Sequence, residues 1–262
     1  MADFQGRLAN APVVYVLCQI RFSPIEKMAD YVPAIQEALR PEYPNFEREQ
    51  LGGISLASTQ PMFVQNETRW RFESRDNRTG FMLFTNQLIA HTTNYVDSDD
   101  FRSRIIHSFK IIHQIAKLSF IQRIGLRYVD LITPISGDSL EKYVQPSLLG
   151  FRPQVSALNS DISQQFLRTN SAMGGTMLVK MSRAHHQIDL PADLLPTPLE
   201  IVRRPNPQEE SIFLDWDHFI EQLNMDPDPD LLEMKLRELK QPIAHVFKEA
   251  ITDYAVQAWQ RH

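Results

Sequence analysis

Two runs dominate this sequence, VVYVLCQIRF at residues 13–22 and IQRIGLRYVDLI at residues 121–132. Both are long, β-branched and aromatic, and too apolar to lie at a solvated sheet edge without inviting aggregation. They predict two central strands, far apart in the chain, that must be covered on both sides. By the period of two, Val14, Val16, Cys18, Ile20 and Phe22 share one face of the first run. Val13, Tyr15, Leu17, Gln19 and Arg21 share the other, which turns polar at its end before the Ser23-Pro24 turn.

Each run opens a similar series of elements. After the first, Met28, Tyr31, Val32, Ile35 and Leu39 predict a helix over 26–40, stopped by Pro41 and Pro44. Strands are predicted at 54–58, 69–74 and 81–94, with Asp76-Asn77 and Thr79-Gly80 supplying a turn. Asp97-Ser98-Asp99 caps a predicted helix over 99–118. After the second run come a short helix at 139–149 and strands at 164–169, 176–182, 186–190, 199–204 and 211–216. A helical segment at 229–260 ends the series, and Pro242 is expected to kink or divide it.

Strand, helix, several strands and long helix thus occur twice. Ile20-Arg21-Phe22 matches Leu126-Arg127-Tyr128, and residues 80–84 (GFMLF) match 175–179 (GTMLV). Residues 97–101 (DSDDF) match 215–219 (DWDHF). The expected fold is α+β: two tandem, related units, 1–120 and 121–262, or one fused domain. Their strands would form a curved antiparallel sheet, or sheets, backed by long helices.

Composition narrows the classes. The chain has 262 residues, 43% of them hydrophobic, enough for a sizeable core, and its 9 glycines exclude a collagen-like chain. A net charge of −5 and a pI near 5.9 argue against a basic nucleic-acid-coating protein. No run of 18 apolar residues predicts a membrane-spanning helix, and residues 1–12 lack the apolar centre of a signal peptide. The single cysteine, Cys18, cannot form an internal disulfide, so a cytoplasmic location is expected.

Three segments carry a family resemblance. They are Asn10-Ala11-Pro12-Val13-Val14 with Gln19-Ile20-Arg21-Phe22, the strand Arg123-Ile124-Gly125-Leu126-Arg127-Tyr128-Val129-Asp130, and Phe213-Leu214-Asp215-Trp216-Asp217. Together they resemble a sporadically distributed, uncharacterised bacterial protein family, over nearly the whole chain. Two departures stand out. Tyr15 and Leu17 occupy the stretch where the family carries an acidic residue, and Val129-Asp130 stand where it has Ile-Asn. The resemblance implies no activity, catalytic residue or cofactor. The family's patchy occurrence implies accessory or defence genes.

The residues offer three functional readings. In the first, the chain is a non-catalytic binding protein for a protein partner or a small anionic ligand. Arg21 and Arg127 sit at matching places in the two series. With Gln19 and Tyr128 they are the candidate ligand-binding set, since two guanidinium groups suit a phosphate, carboxylate or acidic peptide. The plainer alternative gives each arginine a structural ion pair, with Glu73 or Asp130. In the second reading, Arg69, Arg71, Arg75 and Arg78, interleaved with Trp70, Phe72 and Phe81, bind single-stranded nucleic acid. The plainer alternative is an amphipathic hairpin with aromatics inward. In the third, Asp215 and Asp217, with His218, form a carboxylate or metal site, against a reading as helix caps. His185-His186 with Asp189 is a further local candidate, though adjacent strand residues point apart. Cys18 on an all-apolar face reads as core. No Gly-rich phosphate loop or nucleophile elbow is present, and neither a cofactor nor a resident metal is expected.

Overall fold

The structure, a computed structural model, describes residues 8–55, 62–135, 137–151, 162–184, 190–195, 197–204 and 209–260. The first run is strand β1 (Val13–Phe22), followed by α1 (Met28–Leu39), β2 (Asn45–Ser55), β3 (Met62–Glu73), β4 (Thr79–Leu83), β5 (Gln87–Thr92) and α2 (Ser98–Ala116). The second is β6 (Ile121–Ile132), followed by β7 (Ile162–Asn170), β8 (Thr176–Ala184), β9 (Ser211–Ile220), α3 (Pro229–Ala250) and α4 (Asp253–Gln260). The strands form one antiparallel nine-stranded sheet in the order β2-β3-β4-β5-β1-β6-β9-β8-β7. The fold is α+β. No helix among the described residues is long and apolar enough to cross a membrane.

β1 and β6 are neighbours at the middle, with Gln19 opposite Gly125, Arg21 opposite Arg123 and Leu17 opposite Arg127. Outside β1 lies β5, and outside β6 lies β9, each the last strand of its own half. Apolar side chains on one face of the sheet meet the helices. Val16, Cys18, Ile20 and Phe22 share a cluster with Ile35 of α1, Phe109 of α2, Leu239 of α3 and Trp259 of α4. Phe22, Phe72 and Phe109 are fully buried there, each contributing about 1.5–3 kcal/mol through its apolar area. A bulge between Val13 and Tyr15 moves Val14 out of strict alternation. It joins Tyr15, Val129, Leu131 and Phe213 in a second cluster on the opposite, open face. That face is partly covered by the segment around residues 190–201, through Leu190, Leu194, Leu199 and Ile201.

Several elements differ from their sequence expectations. β2 spans residues 45–55, not 54–58. Its first half, NFEREQ, is too charged to read as a buried strand, but β2 is the sheet's edge, where charge is tolerated. The run 81–94 is two strands, because Phe84 N–H bonds Gln87 O (2.9 Å) and turns the chain at Thr85-Asn86. The expected helix 139–149 is two short 3-10 turns. Pro146 holds Gln145 extended (φ −63°, ψ 146°), which breaks a continuous helix. Residues 199–204 are not a strand but part of the covering segment, tied at Arg203 to Ala11 O (2.9 Å). The expected strand 186–190 lies, except for Leu190, outside the described residues.

Pro242 does not divide the last helix. α3 runs through it, held to the sheet by Leu236 and Leu239 before the proline and Ile243 after it. The division falls at Ile251–Thr252, where Thr252 N–H bonds Tyr143 O (3.1 Å) and Thr252 Oγ1 caps Ala255 N–H (3.1 Å). Nor do Asp215 and Asp217 cap a helix: both lie within β9. Asp97, which does cap α2 by accepting from Asp99 N and Asp100 N, finds its counterpart in Asp228, which caps α3 through Asp230 N and Leu231 N. The match between residues 97–101 and 215–219 therefore joins unlike elements. The other two matches fall on β1 with β6 and on β4 with β8.

Candidate functional site

The four candidate ligand residues are distributed over three places. Arg127, on the open face, is 7% exposed. Its Nε and Nη2 donate to the two carboxylate oxygens of Asp215, both at 2.7 Å, and its Nη1 and Nη2 donate to Asp193 at 2.5 and 3.1 Å. Burial opposes its charge, but the hydrogen bonds to Asp215 and then Asp193 outweigh it and raise the pKa above that of an ordinary arginine. The expected partners Glu73 and Asp130 are elsewhere: Glu73 pairs with Arg71, and Asp130 accepts from Trp216 Nε1 at 2.7 Å. Through Asp193, Arg127 fastens the covering segment to the open face.

Arg21 is exposed and lies four residues from Leu17, the register partner of Arg127, which places it roughly 13 Å further along the strand. It lines a small cleft with Arg123 and Glu221. The two arginines do not converge. Gln19 hydrogen-bonds Gln87 (2.6 Å) and lines an open-face cavity of about 560 Å³ with Tyr15, Arg123, Arg127 and Asp217. Tyr128 points to the opposite, helix-covered face.

The arginines of the nucleic-acid reading lie against carboxylates. Arg69 and Arg71 both pair with Glu49, Arg71 also pairs with Glu47 and Glu73 (2.9 Å each), and Arg78 lies 3.6 Å from Glu200. Arg75 is exposed in the turn, and Trp70 and Phe72 are buried. Asp215 and Asp217 share the open face. His218 points to the helices, bonded to Leu239 O and Ser171 Oγ at 2.9 Å each. It cannot join the two aspartates around one ion. Among the described residues, no three His, Cys, Asp or Glu side chains are grouped to hold a metal. His185, His186 and Asp189 lie outside the described residues.

The feature that sequence reasoning did not single out is a chamber of about 660 Å³ beside Tyr128, between the sheet, α3 and the start of α2. Lys240, Ile243, Ala244, Phe247 and Lys248 face it from α3, at the spacing of one helix face. β6 contributes Tyr128 and Asp130, β9 Trp216, β1 Val13 with Pro12 just before it, and the approach to α2 Tyr95 and Asp97. The Lys240 ammonium lies 3.8 Å over the Tyr128 ring, and Tyr95 meets that ring edge-on at 5.5 Å.

Asp130 and Lys240 share this chamber without an ion pair to each other or to any other described residue. Burial pushes the Asp130 carboxyl up to about 6, against the Trp216 hydrogen bond and the attraction of Lys240. Burial pushes the Lys240 amine down to about 8, against the attraction of Asp130. Each is displaced towards its neutral form. The sequence signal was a charge on a core face. Asp130 has the parity of Leu126 and Tyr128, and Lys240 follows Leu236 by one turn on the α3 stripe. Compared with known proteins, the chain matches no family model and no curated protein.

Proposed function

We propose that the protein is a soluble, non-catalytic binding protein whose ligand occupies the chamber between β6, α2 and α3. The observation that carries this is the Asp130–Lys240 arrangement: two ionisable side chains in one aromatic-walled space, bonded to neither each other nor another charged side chain. A ligand offering one acceptor and one donor would satisfy both. This reading replaces the Arg21–Arg127 pair with Lys240, Asp130 and Tyr128 as the recognition set.

The wider reading places the protein in the cytoplasm, in a bacterial accessory system such as defence, and in the sporadic family it resembles. It also makes the two halves products of an internal duplication. The strand order supports duplication, since β1-β5-β4-β3 and β6-β9-β8-β7 run outward from the centre in the same sense. With Gln19 opposite Gly125 as the midpoint, Arg21 and Arg127 each lie two residues beyond it.

The test is a thermal-shift screen of small molecules against the protein and against Ala244→Trp, whose indole would fill the chamber from α3. Compounds that stabilise the protein but not the variant support the assignment. Stabilisation equal in both, or no stabilising compound, overturns it.

A further inference from the structure

We propose that Lys240 is a nucleophilic lysine that captures the carbonyl of an aldehyde or ketone ligand as an imine, a proposal that rests on the chamber being the ligand site. The geometry is that of a reactive amine rather than a structural one. Lys240 Nζ is held over the Tyr128 ring at 3.8 Å, inside the chamber, with no carboxylate of a described residue at ion-pair distance. A structural lysine in a core is held by an anion, whereas this one meets an aromatic face and open space.

The surroundings supply the remaining chemistry. Asp130 and Tyr128 face Lys240 from β6, Tyr95, Asp97 and Asp99 line the α2 side, and Lys248 lies two turns along α3. Arg203 acts on Asp130 from the covering segment. With the amine lowered by burial to about 8, Lys240 carries a free lone pair near neutral pH far more often than an ordinary lysine does. With its carboxyl near 6, Asp130 is able both to take and to return a proton close to neutral pH.

The step balances without an oxidant or co-reactant. The Lys240 lone pair forms the N–C bond, the carbonyl π pair moves to oxygen, and that oxygen takes up one proton from solvent. The nitrogen passes a proton to the Asp130 carboxylate. Asp130 then returns it to the hydroxyl, which leaves as water while the nitrogen lone pair forms C=N. The product is one protonated imine, carrying the charge of the solvent proton, and one water. A protonated imine would lie over Tyr128 as the ammonium does, and Ile243 and Phe247 suit an aromatic or alkyl body on the ligand.

The test uses the full chain with benzaldehyde or hexanal as probe, cyanoborohydride to trap the imine, and peptide mass spectrometry to locate adducts. Lys240 is expected to label at least tenfold faster than Lys27, Lys110, Lys142 or Lys235. Its rate should climb through pH 8, and labelling at that position should be lost in Lys240→Arg. Slow labelling of Lys240, equal to that of these four lysines, overturns the proposal. Benzyl alcohol, which fits the same space but has no carbonyl, separates the two readings in a thermal-shift assay. If it stabilises the protein but not Ala244→Trp while Lys240 stays unlabelled, imine capture fails and the chamber assignment stands. If benzyl alcohol has no effect and Lys240 is unlabelled, both fail.

Discussion

Arg127 and Asp215 meet diagonally across β6 and β9, two residues out of register, through two parallel hydrogen bonds of 2.7 Å. The residue directly opposite Arg127, Asp217, is left facing the open-face cavity, and burial raises its carboxyl pKa. The fork of one guanidinium thus selects one of two aspartates and leaves the other facing the cavity.

Removing the arginine leaves Asp215, which is 3% exposed, with only Lys180 at 4.0 Å as a countercharge and without its two short hydrogen bonds. Arg127→Leu is therefore expected to cost about 3–5 kcal/mol in denaturant unfolding, with Arg127→Leu/Asp215→Leu recovering much of that loss. Additive losses in that double-mutant cycle would contradict the pairing.

Asp193, more than half exposed, is the outer partner of Arg127. Asp193→Ala should cost under about 1 kcal/mol of global stability, yet speed proteolysis within the 190–201 segment. A protease pattern identical to that of the parent would show that other contacts hold the segment.

The Asp130 carboxyl is neutral more readily folded than unfolded, since its folded value of about 6 lies above its unfolded value near 4. A raised folded pKa gives stability that is fully present below pH 4 and lost as pH rises through 6. Asp130→Asn should match the parent protein at pH 4 and exceed it by about 2 kcal/mol at pH 7, read from urea unfolding at each pH. A difference independent of pH would contradict the burial of an ionisable group there.

Gly80 in β4 lies where a Cβ would come 2.4 Å from the backbone oxygen of Phe72 in β3. Backbone cannot swing aside as a flexible side chain does. Gly80→Ala should cost about 1–3 kcal/mol and weaken the β3–β4 pairing, visible as faster amide exchange at Phe72 and Phe81.

Cys18 is fully buried, and burial pushes its thiol pKa well up. A thiol reagent in excess should modify it only as fast as the protein unfolds, so the labelling rate should rise with urea. Modification within seconds in native buffer would contradict its place in the core.

The central strands were legible because ten or more apolar, β-branched residues in a row leave few alternatives. Helix caps were legible where a carboxylate stood before a periodic run, as at Asp97, but Asp215 and Asp217 misled, because cap chemistry and strand alternation use the same residue types. β2 was hidden by its glutamates, which are neutralised only once Arg69 and Arg71 lie beside Glu49 in the folded sheet. The Asp130–Lys240 chamber was hidden by distance: nothing near either residue announces that strand and helix close around the same space. Arg21 and Arg127 were visible as a matched pair, but register alone separates them along the sheet.

The seam between β1 and β6 has a consequence for how the chain is made. β1 emerges early, and β6 follows about a hundred residues later, which at ordinary synthesis rates is roughly 5–20 s. β5 itself follows β1 by about 65 residues, and from then until β6 is made VVYVLCQIRF has a partner on one side only. Its other edge is a bare row of backbone donors and acceptors, the kind of edge that joins a neighbouring chain. The arrival of β6 closes it. The most vulnerable moment in the life of this protein is therefore on the ribosome, before its second half exists.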